Sequence, residues 1–251
     1  MEVESDVRFK DKVAIITGGS GGIGLATAKR FALEGARIVI ADINQAHSEK
    51  AAKIIRDAGT TEILISLCNV ANQNDVENTV RDTLNRFGQL DIIVNNAGLM
   101  VFKPIEELVL EDWLKVLNVD LLGAFFFIKQ AFLTMKPGGA IVNVSSIHAV
   151  ETDPLVAPYA AAKAALLSLT RSASLEGKPK GIRVTAVLPG AVDTPMLWNN
   201  PNVKSGEEQI ISGDVGKPDD IAAVIAFLAS ADADFVQGAA LRVDGGRLDR
   251  L

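Results

Sequence analysis

Apolar residues are distributed along this chain in two alternating patterns. Short β-branched runs bounded by glycine or polar residues recur: KVAIITG (12–18), ARIVIAD (36–42), TEILISLCNV (61–70), DIIVNNAG (91–98), GGAIVNVSS (138–146), GIRVTAVLPG (181–190) and GAALRVDGG (238–246). Near-continuous apolar runs of this length predict strands buried on both faces. Between them lie longer stretches of helix formers. These are the segment that is glycine-dense and then helical after residue 18, Asn44 to Ala58, Asn74 to Phe87, about Leu110 to Met135, Pro158 onward, and 218–230. Residues 191–213, with Pro195, Pro201 and Asn199–Asn200, read as irregular. Strands alternating with helices, with no hairpin signal, predict an α/β fold: a doubly wound parallel sheet with helices on both faces. No repeat, low-complexity tract or linker interrupts residues 1–251, so one domain is expected.

Composition sharpens this picture at a few points. The chain is 48% hydrophobic but only 5% aromatic, which suits buried parallel strands under close-packed helices. A net charge of −6 without a basic run argues against nucleic acid and anionic membrane surfaces as partners. Cys68 is the single cysteine, so no internal disulfide forms, and on its strand it reads as a small buried hydrophobe. His47 and His148, far apart and without cysteine partners, give no protein-built metal site. No apolar run approaches about 18 residues, and the N-terminus (MEVESDVRFKDK) is too polar for a secretory signal. A soluble, cytoplasmic protein is expected.

Two stretches carry chemistry. The first is TGGSGGIG (17–24), which joins a strand to a helix. Glycine there lets the backbone approach a ligand, and the helix N-terminus offers free N–H groups to a phosphate. Gly18, Ser20, Gly22 and Ile23 are the loop's candidate cofactor residues. Asp42, ending the second strand, stands where an acidic side chain accepts bonds from an adenosine ribose. Its carboxylate would repel a 2′-phosphate, and the loop has no Arg or Lys, so NAD is favoured over NADP. The second stretch is SSIHAVETDPLVAPYAAAKA (145–164). Tyr159 and Lys163 are four residues apart on a predicted helix and share a face. A nearby ammonium favours the phenolate, so the Tyr159 pKa is expected to fall from its reference near about 10. A phenol tuned that way is a general acid or base for hydroxyl/carbonyl interconversion, with Ser146 holding the reacting oxygen.

TGGSGGIG, NNAG (95–98), Ser146, Tyr159, Lys163 and PGAVDT (189–194), in this order, resemble the short-chain dehydrogenase/reductase family from about Lys10 to Gly246. The resemblance implies a Rossmann-type domain with seven parallel strands, assembled as a homotetramer. It implies Tyr159 as the catalytic acid/base and Lys163 as the residue that lowers its pKa and binds the nicotinamide ribose. Ser146, thirteen residues before the tyrosine, would steady the substrate oxygen. Asn118 matches the fourth catalytic residue, which helps hold a water and distorts its helix. Asn95 resembles the residue that braces the sheet and lines the adenine ribose side. Pro189, Val192 and Thr194 resemble the wall that fixes the nicotinamide carboxamide. Asn69–Val70 stands where Asp–Val is more frequent at the adenine edge, and the Asn69 carbonyl would still accept from the adenine amino group.

The implied reaction is NAD-dependent interconversion of a secondary alcohol and its carbonyl. A non-catalytic dinucleotide sensor or scaffold, a 3-oxoacyl-type carbonyl reductase, and epimerisation or dehydration through transient oxidation are the alternatives. His148 is placed like the substrate-contacting histidine of glucose and 3-hydroxybutyrate dehydrogenases. Met100 matches neither enzyme, and Val156 replaces the lysine with which the latter grips a carboxylate. A neutral alcohol, polyol or sugar is therefore expected, under a lid at 195–213 that carries Met196 and Trp198.

Overall fold

The computed structural model describes residues 7–59, 62–206, 210 and 213–248. Its strands are β1 (Val13–Thr17), β2 (Arg37–Asp42), β3 (Ile63–Leu67), β4 (Ile92–Asn95), β5 (Gly139–Val144), β6 (Ile182–Pro189) and β7 (Ala240–Val243). They form one parallel sheet in the order β3-β2-β1-β4-β5-β6-β7. The order reverses between β1 and β4, and a crevice opens there beyond the carboxyl ends of the strands.

Successive strand residues point to opposite faces, so each strand feeds two cores. Ile16, Ile38 and Ile40 pack with Phe31, Ile55 and Ile225, which come from α1 (Gly22–Leu33), α2 (Gln45–Ala58) and α9 (Pro218–Ala229). On the other face Ile15, Val39, Ile93 and Ile141 pack with Val76 of α3 (Gln73–Phe87), Phe127 of α5 (Gly123–Thr134) and Ala173 of α6 (Ala157–Gly177). Cys68 is fully buried in this second core.

Four expectations are corrected. The strands are shorter than the apolar runs. The third ends at Leu67; beyond it the Cys68 amide still donates to the Asp42 carbonyl, Cys68 and Val70 are buried and Asn69 is exposed; its expected start, Thr61, lies outside the described residues. The expected helix from Leu110 to Met135 is broken into α4 (Leu110–Leu117), a π turn (Asn118–Leu122) and α5. By length and composition Leu110–Thr134 is apolar enough to cross a membrane, contrary to the sequence reading. Here Phe127, Ile128 and Ala131 are spent on the second core, as in the core helix of a globular fold. Residues 191–213 are not wholly irregular: α7 (Pro195–Trp198) and α8 (Pro201–Ser205) form, each with proline in its first turn, where a missing N–H costs nothing. The part of the expected lid at 207–209 and 211–212 lies outside the described residues.

Candidate active site

A cavity of about 360 Å³ opens at the crevice, walled by the residues that follow β1, β4, β5 and β6. Gly18 and Gly22 take left-handed φ of 61° and 51°, conformations that suit glycine. A Cβ on Gly24 would fall 2.2 Å from the Gly18 carbonyl oxygen, so α1 can start against the loop only without a side chain there. The loop is braced from β4: Asn96 Nδ2 donates to the carbonyls of Thr17 (2.9 Å) and Gly18 (3.2 Å), and the Asn96 and Ala97 amides donate to Thr17 Oγ1. Asp42 closes the loop from β2, its Oδ2 accepting from the Ser20 amide at 3.2 Å and its Oδ1 from the Asn44 amide at 3.0 Å. This tight, side-chain-free cradle at a helix N-terminus fits the pyrophosphate of a dinucleotide.

Of the residues that the sequence reading singled out, Gly18, Gly22, Ile23, Ser146, His148, Tyr159, Lys163, Pro189, Val192 and Thr194 line the cavity, and Ser20 and Asp42 do not. The two serines after β5 divide their work. Ser145 Oγ donates to the Lys163 carbonyl at 2.9 Å and pins α6, while Ser146 Oγ accepts from the His148 amide at 3.2 Å. The His148 ring meets Tyr159 edge-on with centroids 5.9 Å apart, its Nδ1 lying 3.3 Å from Thr152 Oγ1. Lys163 Nζ donates to the Val144 carbonyl at 3.0 Å and stands 5.5 Å from the centre of the Tyr159 ring. The chain enters α6 through Leu155, held at φ 68° with its carbonyl accepting from the Lys103 amide.

The expected fall in the Tyr159 pKa is corrected. Burial pushes the phenol up, the Asp120 charge pushes it further, and the Ser146 hydroxyl opposes both. The Lys163 ammonium, 5.5 Å from the ring centre, donates to the Val144 carbonyl and lies 3.7 Å from Asp120. Asp120 is the residue that sequence reasoning missed. Its Oδ2 is 3.7 Å from Lys163 Nζ and its Oδ1 accepts from the Leu99 amide at 2.9 Å. Burial pushes its carboxyl up to about 6 even though Lys163 pulls the other way.

Asn118, expected as the fourth catalytic residue, lines neither this cavity nor the small one beside it. It opens the π turn, where its carbonyl accepts from the Gly123 amide, and this wider turn carries Asp120 inward to Lys163. Asn95 likewise does not line the main cavity. Its side chain points into the sheet, Nδ2 donating to Asn143 Oδ1 at 2.8 Å, and Asn96 lines the cavity in its place. Asn69 Oδ1 accepts from the Ala71 amide at 3.1 Å, which leaves its second lone pair, and Asn69 does not line the main cavity. Val70 is buried against Gly123. Trp198 stays half-exposed and donates to Asp193 Oδ1, whereas Met196 and Met100 do line the cavity. Val156 is buried beside Val116 and Tyr159, away from the cavity wall. Arg247, from the turn after β7, lines the cavity; no motif in the sequence pointed to it.

The family model described as enoyl-(acyl carrier protein) reductase matches residues 18–247. A 3beta-hydroxysteroid dehydrogenase 1 of Eggerthella lenta is 38% identical over 249 residues, covering 95% of this chain and 94% of that protein. A cis-4-hydroxycyclohexanecarboxylate dehydrogenase of Sinomonas cyclohexanicum is 39% identical over 244 residues, covering 95% and 97%. The crystal structure of a levodione reductase superposes with a TM-score of 0.92 at 33% identity, over 97% of this chain and 100% of that one.

Proposed function

The chain belongs to the short-chain dehydrogenase/reductase family and is an NAD(P)-dependent oxidoreductase acting on CH–OH groups, and we propose that it uses NAD and Tyr159 to interconvert a secondary alcohol and its ketone. The observation that carries this reading is the meeting of Ser146, Tyr159 and Lys163 in one cavity with the glycine cradle. When bound, a nicotinamide dinucleotide supplies the hydride acceptor or donor. Gly18, Ser20, Gly22 and Ile23 would hold its phosphates and Asp42 its adenosine ribose. Lys163 would take the nicotinamide ribose, and Pro189, Val192 and Thr194 the carboxamide. Ser146 donates to the substrate oxygen and fixes it beside the Tyr159 hydroxyl. Tyr159 gives its proton to the oxygen in reduction and removes it in oxidation.

The substrate end of the cavity is walled by Met100, Ile147, Met196 and Leu197, with His148 as a polar group among them. This supports a neutral alcohol on a largely apolar skeleton, as the name of the steroid relative also suggests. Arg247 favours a second reading, in which the skeleton bears a carboxylate. A panel of cyclic alcohols, cyclic hydroxy acids, polyols and sugars with NAD⁺ tests both, read by NADH absorbance. The neutral cyclic alcohols are expected to give the highest kcat/KM. A hydroxy acid preferred by tenfold, and lost in Arg247→Met, would install the second reading.

A further inference from the structure

Part of the cavity wall on the substrate side comes from a short helical segment outside both cores, and one buried side chain ties it to the entry of the helix that carries Tyr159. We propose that Asn202 is a positioning residue for the substrate: by donating from Nδ2 to the Pro154 carbonyl, it holds the wall formed by Met196, Leu197 and Asn200 in register with Tyr159. Its effect on turnover rests on the alcohol/ketone reading above; its structural content does not.

Met196, Leu197 and Asn200 line the cavity from α7 and the turn between α7 and α8. Among the described residues neither large core draws on α7 or α8, so packing against the sheet does not place this wall. Hydrogen bonds do. Asn200 Oδ1 accepts from the Asn202 amide at 3.0 Å, and Asn202 Nδ2 crosses to the Pro154 carbonyl at 2.9 Å, between segments 48 residues apart. Asn202 is 1% exposed, and its Oδ1 accepts no hydrogen bond among the described residues. Burying an amide oxygen without a partner is unfavourable, so what this side chain contributes is the bond that its Nδ2 makes.

The other end of this clasp is the entry to α6. Leu155, next after Pro154, has a φ of 68°, a left-handed conformation that a branched side chain rarely adopts. The bend offers two successive carbonyls to two different elements: that of Pro154 to Asn202, and that of Leu155 to the Lys103 amide at 3.0 Å. Lys103 is held in turn by its ammonium, 2.7 Å from Asp112 in the first turn of α4. Leu99, Met100, Val101 and Phe102, which lead up to Lys103, pack with Val156 and Tyr159. Tyr159 lies in the first turn of α6. Segments 99–103, 154–156 and 200–202 thus meet at one knot beside the tyrosine, and Asn202 is the thread of it that reaches the substrate wall. The Lys163 end of α6 is held separately, by the bonds to Ser145 and Val144. Losing the clasp should therefore loosen the substrate's seat and leave the chemical groups and the glycine cradle in place.

Two variants test this. Asn202→Ala removes the donor, and Asn202→Asp keeps the shape but turns an acceptor toward the Pro154 carbonyl. With the best alcohol of the panel and NAD⁺, both are expected to raise KM by about tenfold, while kcat stays within about threefold and the NADH dissociation constant within about twofold of wild type. A side chain that merely stabilised the fold would lower the active fraction, and so kcat, at constant KM. Trypsin gives a readout without turnover. Lys204 is exposed on α8, and cleavage after it should be about fivefold faster in both variants than in wild type. Cleavage at the wild-type rate in both variants overturns the proposal, as does a fall in kcat at unchanged KM. Wild-type behaviour of Asn202→Asp beside an altered Asn202→Ala overturns it too, since packing and not the donated bond would then be at work. If the wild type turns over no alcohol of the panel, the reading of the function fails, and the trypsin comparison still decides the clasp.

Discussion

Asp42 ends β2 with both carboxylate oxygens already accepting backbone amides, from Ser20 and Asn44. It therefore ties the glycine loop to β2, and on the proposed NAD reading its charge would also oppose a 2′-phosphate. Asp42→Asn keeps the acceptor for one amide and removes the charge. The ratio of NADPH to NADH dissociation constants, from fluorescence titration, is expected to fall by about tenfold in the variant. An unchanged ratio would mean that this carboxylate does not face the ribose. Residues such as Asp42, Ser146, Tyr159 and Lys163 were legible because their spacing survives folding: a strand end stays an end, and i, i+4 stays one helix face. Asp120 was not legible. A helix counted at regular pitch places it without reference to Lys163, and only the π turn at Asn118–Leu122 brings it there.

Among the elements, the sheet's centre is stitched to α6 by a buried polar chain. Asn95 Nδ2 donates to Asn143 Oδ1, Asn143 Nδ2 to Thr170 Oγ1, and Thr170 Oγ1 to the Leu166 carbonyl, each at 2.8 Å. This fixes the helix that carries Tyr159 and Lys163 against β4 and β5. Asn143→Ala leaves Asn95 Nδ2 without its acceptor inside the core, a loss of about 1–3 kcal/mol in unfolding free energy. Urea denaturation should register it as a lower midpoint with an unchanged slope. The order and type of the elements were readable from apolar periodicity. Their ends were not, because Asn96–Gly98 and Ser145–Ser146 run on from their strands without a break in the sequence pattern and line the cavity.

For the whole molecule, the first described residues are fastened to α1 by charge. Glu34 accepts from Arg8 Nε at 2.7 Å and Nη2 at 2.8 Å, and also from Arg30. Burial pushes the Glu34 carboxyl up, but the two guanidiniums outweigh it and hold the carboxyl below the usual range. A depressed carboxyl contributes stability that is present above its unfolded pKa, near 4.3, and is lost as pH falls through the folded value. Glu34→Gln should therefore lower the melting temperature at pH 7, by about 1 kcal/mol of stability, and match wild type near pH about 3. A gap that persists in acid would assign the effect to packing. Leu114, Leu122, Phe125 and Leu133 on α4, the π turn and α5 are exposed, and light scattering would test the homotetramer that the family resemblance implies.

The convergence of Ser146, Tyr159 and Lys163 beside the glycine cradle is tested most directly by Tyr159→Phe, assayed with the best alcohol of the panel and NAD⁺. The NADH dissociation constant should stay within about twofold of wild type, while kcat/KM falls by about 10²-fold or more. Turnover at the wild-type rate in a folded, NADH-binding Tyr159→Phe would contradict the role given to this hydroxyl.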